Sequence, residues 1–395
     1  MNNTRYLSPY TTQDLNQRML FIGGPRQVGK TTFVRYILAK HYPRIRYYNW
    51  DNSHDKKEIM AAKWPSDPSL IVLDEIHKYR KWKSWLKGEY DSLKDKHHFV
   101  VTGSAMLETY RRQGDSLFGR YHHYRMHPFS LAESSPLFSN TVHEAIEKGS
   151  GPLPFGDPQS ERLAQLYKYG GFPEPFLKSS DRFLRQWHQE RLDLIVKSDI
   201  RDLDQVHDIG SLLLLAQLLP SRVGGLLSLN SLREDLGVSH ASISRWVQLL
   251  EMVYYAYRIY PYHQQAIRAI KKEPKLYLWD WSQIPDEGAR FENMIAGHLL
   301  KFCHLLKDYG GYDAELRFLR NVDKREVDFI VTISGKPWFA CEAKLSSENI
   351  DSNVHYFKSR MEIPYFFQVI LKENVDWMRD GVRVLSASKF LTGLV

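Results

Sequence analysis

The segment Gly24-Pro25-Arg26-Gln27-Val28-Gly29-Lys30-Thr31-Thr32 constrains this chain most. It carries the GxxxxGK[ST] pattern between an apolar strand, Met19 to Ile22, and a helix expected from about Lys30 to Lys40. Glycines at those positions let successive backbone N–H groups curl around phosphate, and the following helix adds the positive end of its dipole. In such a loop Lys30 reaches the β and γ phosphates and the Thr31 hydroxyl ligates magnesium. ATP and Mg2+ are therefore the expected cofactors. Further strands are expected at Arg44 to Asn49, Leu70 to Leu73 and Phe99 to Thr102, each separated from the next by a helical stretch. Strands alternating with helices imply a parallel α/β sheet.

The run Leu70-Ile71-Val72-Leu73-Asp74-Glu75 ends a buried strand in two acids, expected to project toward the loop of the neighbouring strand. Asp74 would hold magnesium, directly or through water, and Glu75 would polarise the attacking water. A third strand ends in Thr102-Gly103-Ser104, where Thr102 or Ser104 would contact the γ phosphate or the water. Ordinary turn chemistry explains those two residues equally well. Arg120, Arg111 and Arg112 are candidates to stabilise the transition-state charge, although any single arginine is more often a surface residue.

Here the chain resembles the prokaryotic, archaeal-like AAA-type ATPases that carry a C-terminal domain of unknown function. The resemblance is carried by the P-loop spelling, by Leu73-Asp74-Glu75-Ile76, Thr102-Gly103-Ser104 and Phe118-Gly119-Arg120. It continues through Tyr169-Gly170-Gly171-Phe172-Pro173-Glu174 and Ser198-Asp199-Ile200. It implies a sensor role for Thr102 or Ser104 and makes Arg120 the best arginine-finger candidate, acting in cis or in trans. Sites of this type are often completed by a neighbouring subunit, so the resemblance also implies a homo-oligomer.

After a Gly- and Pro-rich stretch, Glu147 to Pro158, residues 160 to 225 read as helical. Ser228 to Tyr262 reads as a winged helix-turn-helix. Asn230 caps a helix from Ser231 to Leu236, Gly237 turns the chain, and Ser239 caps a second helix to about Met252, followed by a strand. Ser239, His240, Ser242, Ser244 and Arg245 sit at the start of the second helix. Beyond it Arg258, His263, Arg268, Lys271, Lys272 and Lys275 alternate with tyrosines Tyr254, Tyr255, Tyr257, Tyr260 and Tyr262. A basic, aromatic-rich wing suits nucleic acid, with DNA the expected partner. The other reading is a winged helix that only packs between domains.

The last region is expected to be α/β, with a helix from Ala289 to Lys307 and strands at 315–319, 326–333, 338–343 and 365–370. Asp328 and Glu342 are 14 residues apart, room for two strands and the turn Ser334 to Pro337, so antiparallel pairing sets them side by side. Glu342 and Lys344 share a face. Buried acids need a cation or a partner, and two carboxylates here would hold Mg2+ or Mn2+ with Lys344 placed to act on water. Alternatively Glu292 pairs with Arg290 or Lys301 of its own helix. Gln368 is also placed near this site. Asp, then Glu-x-Lys, preceded by the helical Glu292, resembles the PD-(D/E)xK nuclease superfamily, though Val327 replaces the signature proline. That resemblance implies metal ligation by Asp328, Glu342 and Glu292 and a catalytic Lys344.

The expected architecture is thus an AAA-type P-loop domain (1–145), a helical lid or linker (146–226), a winged helix-turn-helix (227–262) and a restriction-endonuclease-like α/β domain (263–395). With 395 residues the chain is long enough for several cores. Two cysteines, Cys303 and Cys341, exclude a disulfide framework and suit a cytoplasmic setting. No apolar run approaches the roughly 20 residues of a membrane span, and a net charge of +8 favours an acidic partner. The leading expectation is an ATP-hydrolysing, DNA-binding protein with a metal-dependent C-terminal nuclease. The alternative is a regulatory or signalling ATPase switch whose nuclease-like domain is catalytically silent and binds a partner or DNA. A third reading is a DNA-translocating motor that does not cut.

Overall fold

The structure, a computed structural model, describes residues 5–103, 117–134, 151–204, 206, 208–263, 273–347 and 349–395. These fall into two compact units, Met1–His127 with Met252–Tyr254, and Pro128–Glu251 with Tyr255–Val395. Ser104, Arg111, Arg112, Arg268, Lys271 and Lys272 lie outside the described residues.

The first unit is built on a five-stranded parallel sheet of β1 (Met19–Gly23), β2 (Ile45–Asn49), β3 (Leu70–Asp74), β4 (His98–Thr102) and β5 (Tyr121–Arg125), in the order β2-β3-β4-β1-β5. Every residue of β1 and β3 is buried, as a strand covered on both faces requires. On one face the helix Trp82–Leu93 sets Trp82, Leu86 and Tyr90, one turn apart, against Phe21, Ile71 and Phe99. The order corrects one expectation. The acids of β3 do not close on a neighbouring P-loop strand, because β4 lies between β3 and β1. Thr102 pairs in register with both Asp74 and Ile22, so it stands between the two halves of the site.

After a short helix at Leu131–Ser134, the second unit has helices at Ser160–Tyr169, Pro173–Lys178, Asp181–Leu194 and Ile209–Leu218. The Ser180 and Asp208 side chains cap the last two by accepting from Phe183 and Ser211 N–H. Two further helices, Leu229–Leu236 and His240–Met252, are joined through Gly237 at φ +65°, a left-handed turn suited to glycine. Ser228, not Asn230, caps the first, which starts earlier than expected. The chain then forms β6 (Ala256–Ile259), paired antiparallel with β7 (Lys275–Leu278). Lys275, expected on the basic wing, lies on the strand that pairs with β6.

The C-terminal sheet has six strands, β8 (Ala314–Arg320), β9 (Glu326–Ile333), β10 (Lys336–Lys344), β11 (Tyr365–Ile370), β12 (Asp376–Arg379) and β13 (Val382–Ser386), in the order β12-β13-β11-β10-β9-β8. β8, β9 and β10 are antiparallel, β10, β11 and β13 parallel, and β12 antiparallel to β13. The 22-residue helix Glu287–Asp308, capped by Asp286, lies against this sheet. The β6–β7 hairpin runs onto it through a bridge from Pro261 to Phe318 and a hydrogen bond from Tyr262 N–H to the Phe318 carbonyl. No helix among the described residues is long and apolar enough to cross a membrane.

Candidate nucleotide site and C-terminal acidic cluster

β1 ends at Gly23 and the P-loop follows. Gly24 has φ +142°, and a Cβ there would lie 2.3 Å from the Met126 carbonyl oxygen, so only glycine fits. Gln27 and Gly29 also take positive φ, at +65° and +96°. Val28 is fully buried and its carbonyl accepts from the buried Arg5 guanidinium at 2.9 Å; the same guanidinium donates to the His127 carbonyl. Arg5 braces the loop from outside the motif, and no local sequence signal pointed to it. Lys30 Nζ donates to the carbonyls of Gly24 (2.8 Å) and Pro25 (2.9 Å), folded back over its own loop.

Asp74 is where the site converges. Its Oδ1 accepts from the Thr102 hydroxyl at 2.6 Å, and its Oδ2 is approached by the Thr31 hydroxyl at 3.5 Å and accepts from the Tyr47 hydroxyl. Thus the P-loop threonine, the acid of β3 and the polar end of β4 meet at one carboxylate. Tyr47, from β2, was not foreseen: nothing in Arg46-Tyr47-Tyr48 tells which tyrosine turns toward the strand end. A small acid among three hydroxyls beside a glycine cradle is a hard-oxygen donor set that fits magnesium with a nucleotide.

Glu75 follows in the left-handed conformation, φ +56°, uncommon outside glycine and often found at functional sites. Its N–H donates to the Thr102 carbonyl at 3.0 Å, so the strand ends fix it. Its carboxylate lies 3.3 Å from His77 Nε2 and 3.9 Å from Lys78 Nζ. Burial, and then repulsion from Asp74, push the Glu75 carboxyl up to about 7, against the pull of Lys30, Lys78 and Arg26. Burial drives His77 down to about 4, with Lys78 adding to the effect, so the imidazole is neutral.

Arg120 is elsewhere. It forms a two-pronged pair with Asp91, at 2.7 and 2.9 Å, and its carbonyl accepts from Met19 N–H at the start of β1. The P-loop leaves the other end of that strand, five residues away, about 16 Å. Arg120 therefore does not serve the P-loop of its own chain.

The second unit brings the C-terminal acids together as the turn length suggested. Asp328 N–H donates to Glu342 Oε2 at 3.1 Å, and Ala343 N–H donates to Asp328 Oδ2 at 3.0 Å. Lys344 Nζ pairs with Glu342 at 2.7 Å and Asp351 at 3.1 Å. Gln368, opposite Glu342 across β10 and β11, is fully buried and ties down the Asp351 N–H and the Asn349 carbonyl. Glu292 pairs with neither Arg290 nor Lys301. It accepts from the Tyr277 hydroxyl at 2.7 Å and from Lys275 Nζ at 3.1 Å. Burial, followed by repulsion from Asp328, raises the pKa of both Glu292 and Glu342.

Lys275 is the residue the sequence misplaced. Expected on a DNA-facing wing, it is buried, its ammonium 2.6 Å from Glu326, 3.1 Å from Glu292 and 3.4 Å from Asp328. Burial opposes its charge, but Asp328, Glu292 and Glu326 outweigh that and hold its pKa above the ordinary lysine value. The rest of the expected wing also changes meaning. Tyr254, Tyr255 and Tyr257 are buried, Arg258 pairs with Glu251, and Arg245 pairs with Asp204. Ser239, His240 and Arg245 at the start of the second helix remain exposed.

The expected metal does not fit the C-terminal acids as they stand. Among the described residues, one group of three His, Cys, Asp or Glu side chains has ligand atoms all within 4.8 Å of one another, and it is His54, Asp55 and Glu58 on the helix Ser53–Met60. Glu292, Asp328 and Glu342 do not form such a group, and their oxygens are engaged by Lys275, Lys344, Tyr277 and backbone N–H groups.

Residues 16–135, which include the P-loop and β1 to β5, match the AAA domain family, a match that supports an AAA-type P-loop ATPase. Residues 160–283 and 287–390 match two families described only as domains of unknown function, DUF8612 and DUF4143. Among curated proteins the chain is similar to several uncharacterized ones, two of which are MJ1637 and Rv2008c. MJ1637 of Methanocaldococcus jannaschii is 23% identical, over 73% of this chain and 68% of that protein. Rv2008c of Mycobacterium tuberculosis is 22% identical, over 95% and 81%. Among solved structures it is similar to the Thermotoga maritima RuvB Holliday junction branch migration motor, at 17% identity and TM-score 0.30, over 64% of this chain and 87% of that one. The Aeropyrum pernix ORC1 protein in complex with DNA gives 13% identity and TM-score 0.33, over 74% and 93%. At those scores neither likeness speaks to an activity or a partner of this chain.

Proposed function

We infer that the first unit binds ATP with magnesium and hydrolyses it, and that hydrolysis drives a regulatory switch. The supporting observation is the convergence of Thr31, Thr102 and Tyr47 on Asp74 beside the glycine cradle. Lys30, released from the Gly24 and Pro25 carbonyls, takes the β and γ phosphates. Thr31 and Asp74 hold magnesium, which when bound neutralises charge on the phosphates. Glu75 accepts a proton from the attacking water, and Thr102 keeps Asp74 oriented. Thr102 or Ser104 is proposed for the sensor role. Arg120, a strand's length from its own P-loop, serves a neighbouring subunit's site, which makes the working form a homo-oligomer. We place the protein in the cytoplasm. The exposed start of the helix His240–Met252 is the surface proposed for nucleic acid, as a winged helix whose β6–β7 wing is largely core. Calorimetry of the full chain with ATP and magnesium tests the central reading: saturable heat, lost in Lys30→Ala, is expected, and a flat wild-type titration refutes it.

Tyr47 extends the site. Tyr47→Phe removes one of the hydroxyl groups that fix Asp74. It should raise the magnesium concentration for half-maximal hydrolysis about tenfold, as the loss of an outer-sphere partner does elsewhere, with kcat at saturating magnesium nearly kept. A magnesium titration of ATPase rate checks this.

For the C-terminal sheet the placement of Lys275 favours the catalytically silent, partner-binding reading over a metal-dependent nuclease. Single-stranded, duplex and branched DNA incubated with protein, ATP and either Mg2+ or Mn2+ should stay intact. Cutting that Asp328→Ala abolishes would restore the nuclease reading.

A further inference from the structure

Among the described residues of the second unit, one cluster of buried charge gathers three acids around a single lysine, and the nucleotide reading leaves it unused. Glu292 comes from the helix Glu287–Asp308, Glu326 and Asp328 from β9, and all three turn toward Lys275 on β7. Glu326 is also held by Arg320 at 2.6 Å. The Lys275 side chain is 3% exposed, against 17, 20 and 13% for the three acids. Gly224, at φ +83°, closes over the cluster; a Cβ there would lie 3.3 Å from Glu292 Oε2. Leu226 bridges Lys275 in the backbone, and Leu227 N–H donates to the Pro274 carbonyl at 2.8 Å, which fixes β7 along this edge.

The geometry points to Lys275 as the resident cation of this cluster, a tethered ammonium that holds the β6–β7 hairpin to the C-terminal sheet and stands where a divalent ion would otherwise be drawn. Three carboxylates from two separate elements cannot approach one another in a buried site without a positive centre. An ammonium on a neighbouring strand supplies it with three donors and no loss of a hydration shell when a ligand arrives. A second cation at the same place would meet Lys275 at contact distance, so lysine and divalent ion exclude each other. The carboxylates become available to a metal only when β7 withdraws. Because β7 is paired to β6, and β6 directly follows the helix His240–Met252, movement of that helix is the motion that would expose them.

The experiment uses the full, nucleotide-free chain, with thermal melting followed with and without millimolar Mn2+. Wild type should melt at the same temperature in both. Lys275→Met should melt about 10 °C lower, the scale expected for stripping a buried charge cluster of its partner, and Mn2+ should recover most of the loss. Adding Glu292→Gln to Lys275→Met should raise the melting temperature without metal. If Lys275→Met alone is insoluble, that double variant must return soluble protein. Failure of that rescue overturns the assignment. So does Lys275→Met melting like wild type, or stoichiometric Mn2+ binding by wild type that Asp328→Asn removes. Lys30→Ala leaves every group of the cluster in place, so failure of the nucleotide reading and failure of this one are separately visible.

Discussion

Glu75→Gln is expected to bind ATP as tightly as wild type and to hydrolyse it about 10²–10³-fold more slowly, the usual range for loss of a positioned general base. Lys30→Ala should lose both binding and turnover. The two differ because the groups do different work. Lys30 contributes a charge to the bound phosphates, whereas Glu75 acts only as the water loses its proton. The backbone at Glu75 supports this division. A glutamate held at φ +56° by its N–H bond to Thr102 stays put when its carboxylate becomes an amide, so the change is chemical and not structural. The pH profile carries the same signature. Glu75 is useful as the carboxylate, and its pKa is raised to about 7 by burial and by Asp74. The rate should therefore climb as pH rises toward that value and flatten above it. Magnesium drawn to Asp74 cancels part of the repulsion, so the acid limb of the loaded enzyme should lie at or below about 7. Single-turnover hydrolysis with nucleotide binding measured alongside checks both variants. Equal losses of binding in the two, or an acid limb that Glu75→Gln leaves unchanged, would remove Glu75 from the role.

How much of this could be read beforehand follows from what each residue depends on. β1, β3 and β4 announce themselves because strands covered on both faces must be apolar throughout, and Met19 to Ile22, Leu70 to Leu73 and Phe99 to Val101 are. β5, Tyr-His-His-Tyr-Arg, sits at the sheet edge and gives no such signal; nor does β12, a short and largely exposed edge strand. Asp328 and Glu342 were paired correctly because hairpin geometry is local. Lys275 was misread because charge in a sequence says nothing about burial: a lysine among tyrosines looks like a nucleic-acid wing until the three acids that surround it, contributed by elements 17 to 53 residues away, are in place. Tyr47 and Arg5 were missed for the same reason, since each acts on a group far off in sequence.

Lys301 shows the same principle with the largest expected effect on stability. The sequence offers it as a partner for Glu292 on one helix. Nine residues separate the two, about two and a half turns, which puts them on opposite faces. The structure buries Lys301 instead, its ammonium donating to Glu133, to the Ser130 hydroxyl at 2.9 Å and to the Pro128 carbonyl at 3.1 Å. Both side chains of this ion pair are at most 2% exposed. Beside it His298 accepts from Leu131 N–H at Nε2 and donates to the Met294 carbonyl from Nδ1, so it is neutral and offers no substitute charge. Lys301→Met should then leave Glu133 buried without its ammonium and cost about 3–5 kcal/mol. Glu133→Gln should cost a comparable amount from the other side. The double variant Lys301→Met with Glu133→Gln removes both charges and should recover most of the loss, because the penalty comes from an unmatched charge and not from missing volume. Denaturant unfolding of the four proteins measures the cycle. Two single losses that simply add in the double variant would mean that the pair is not coupled, and that this end of the helix Glu287–Asp308 is held by packing alone.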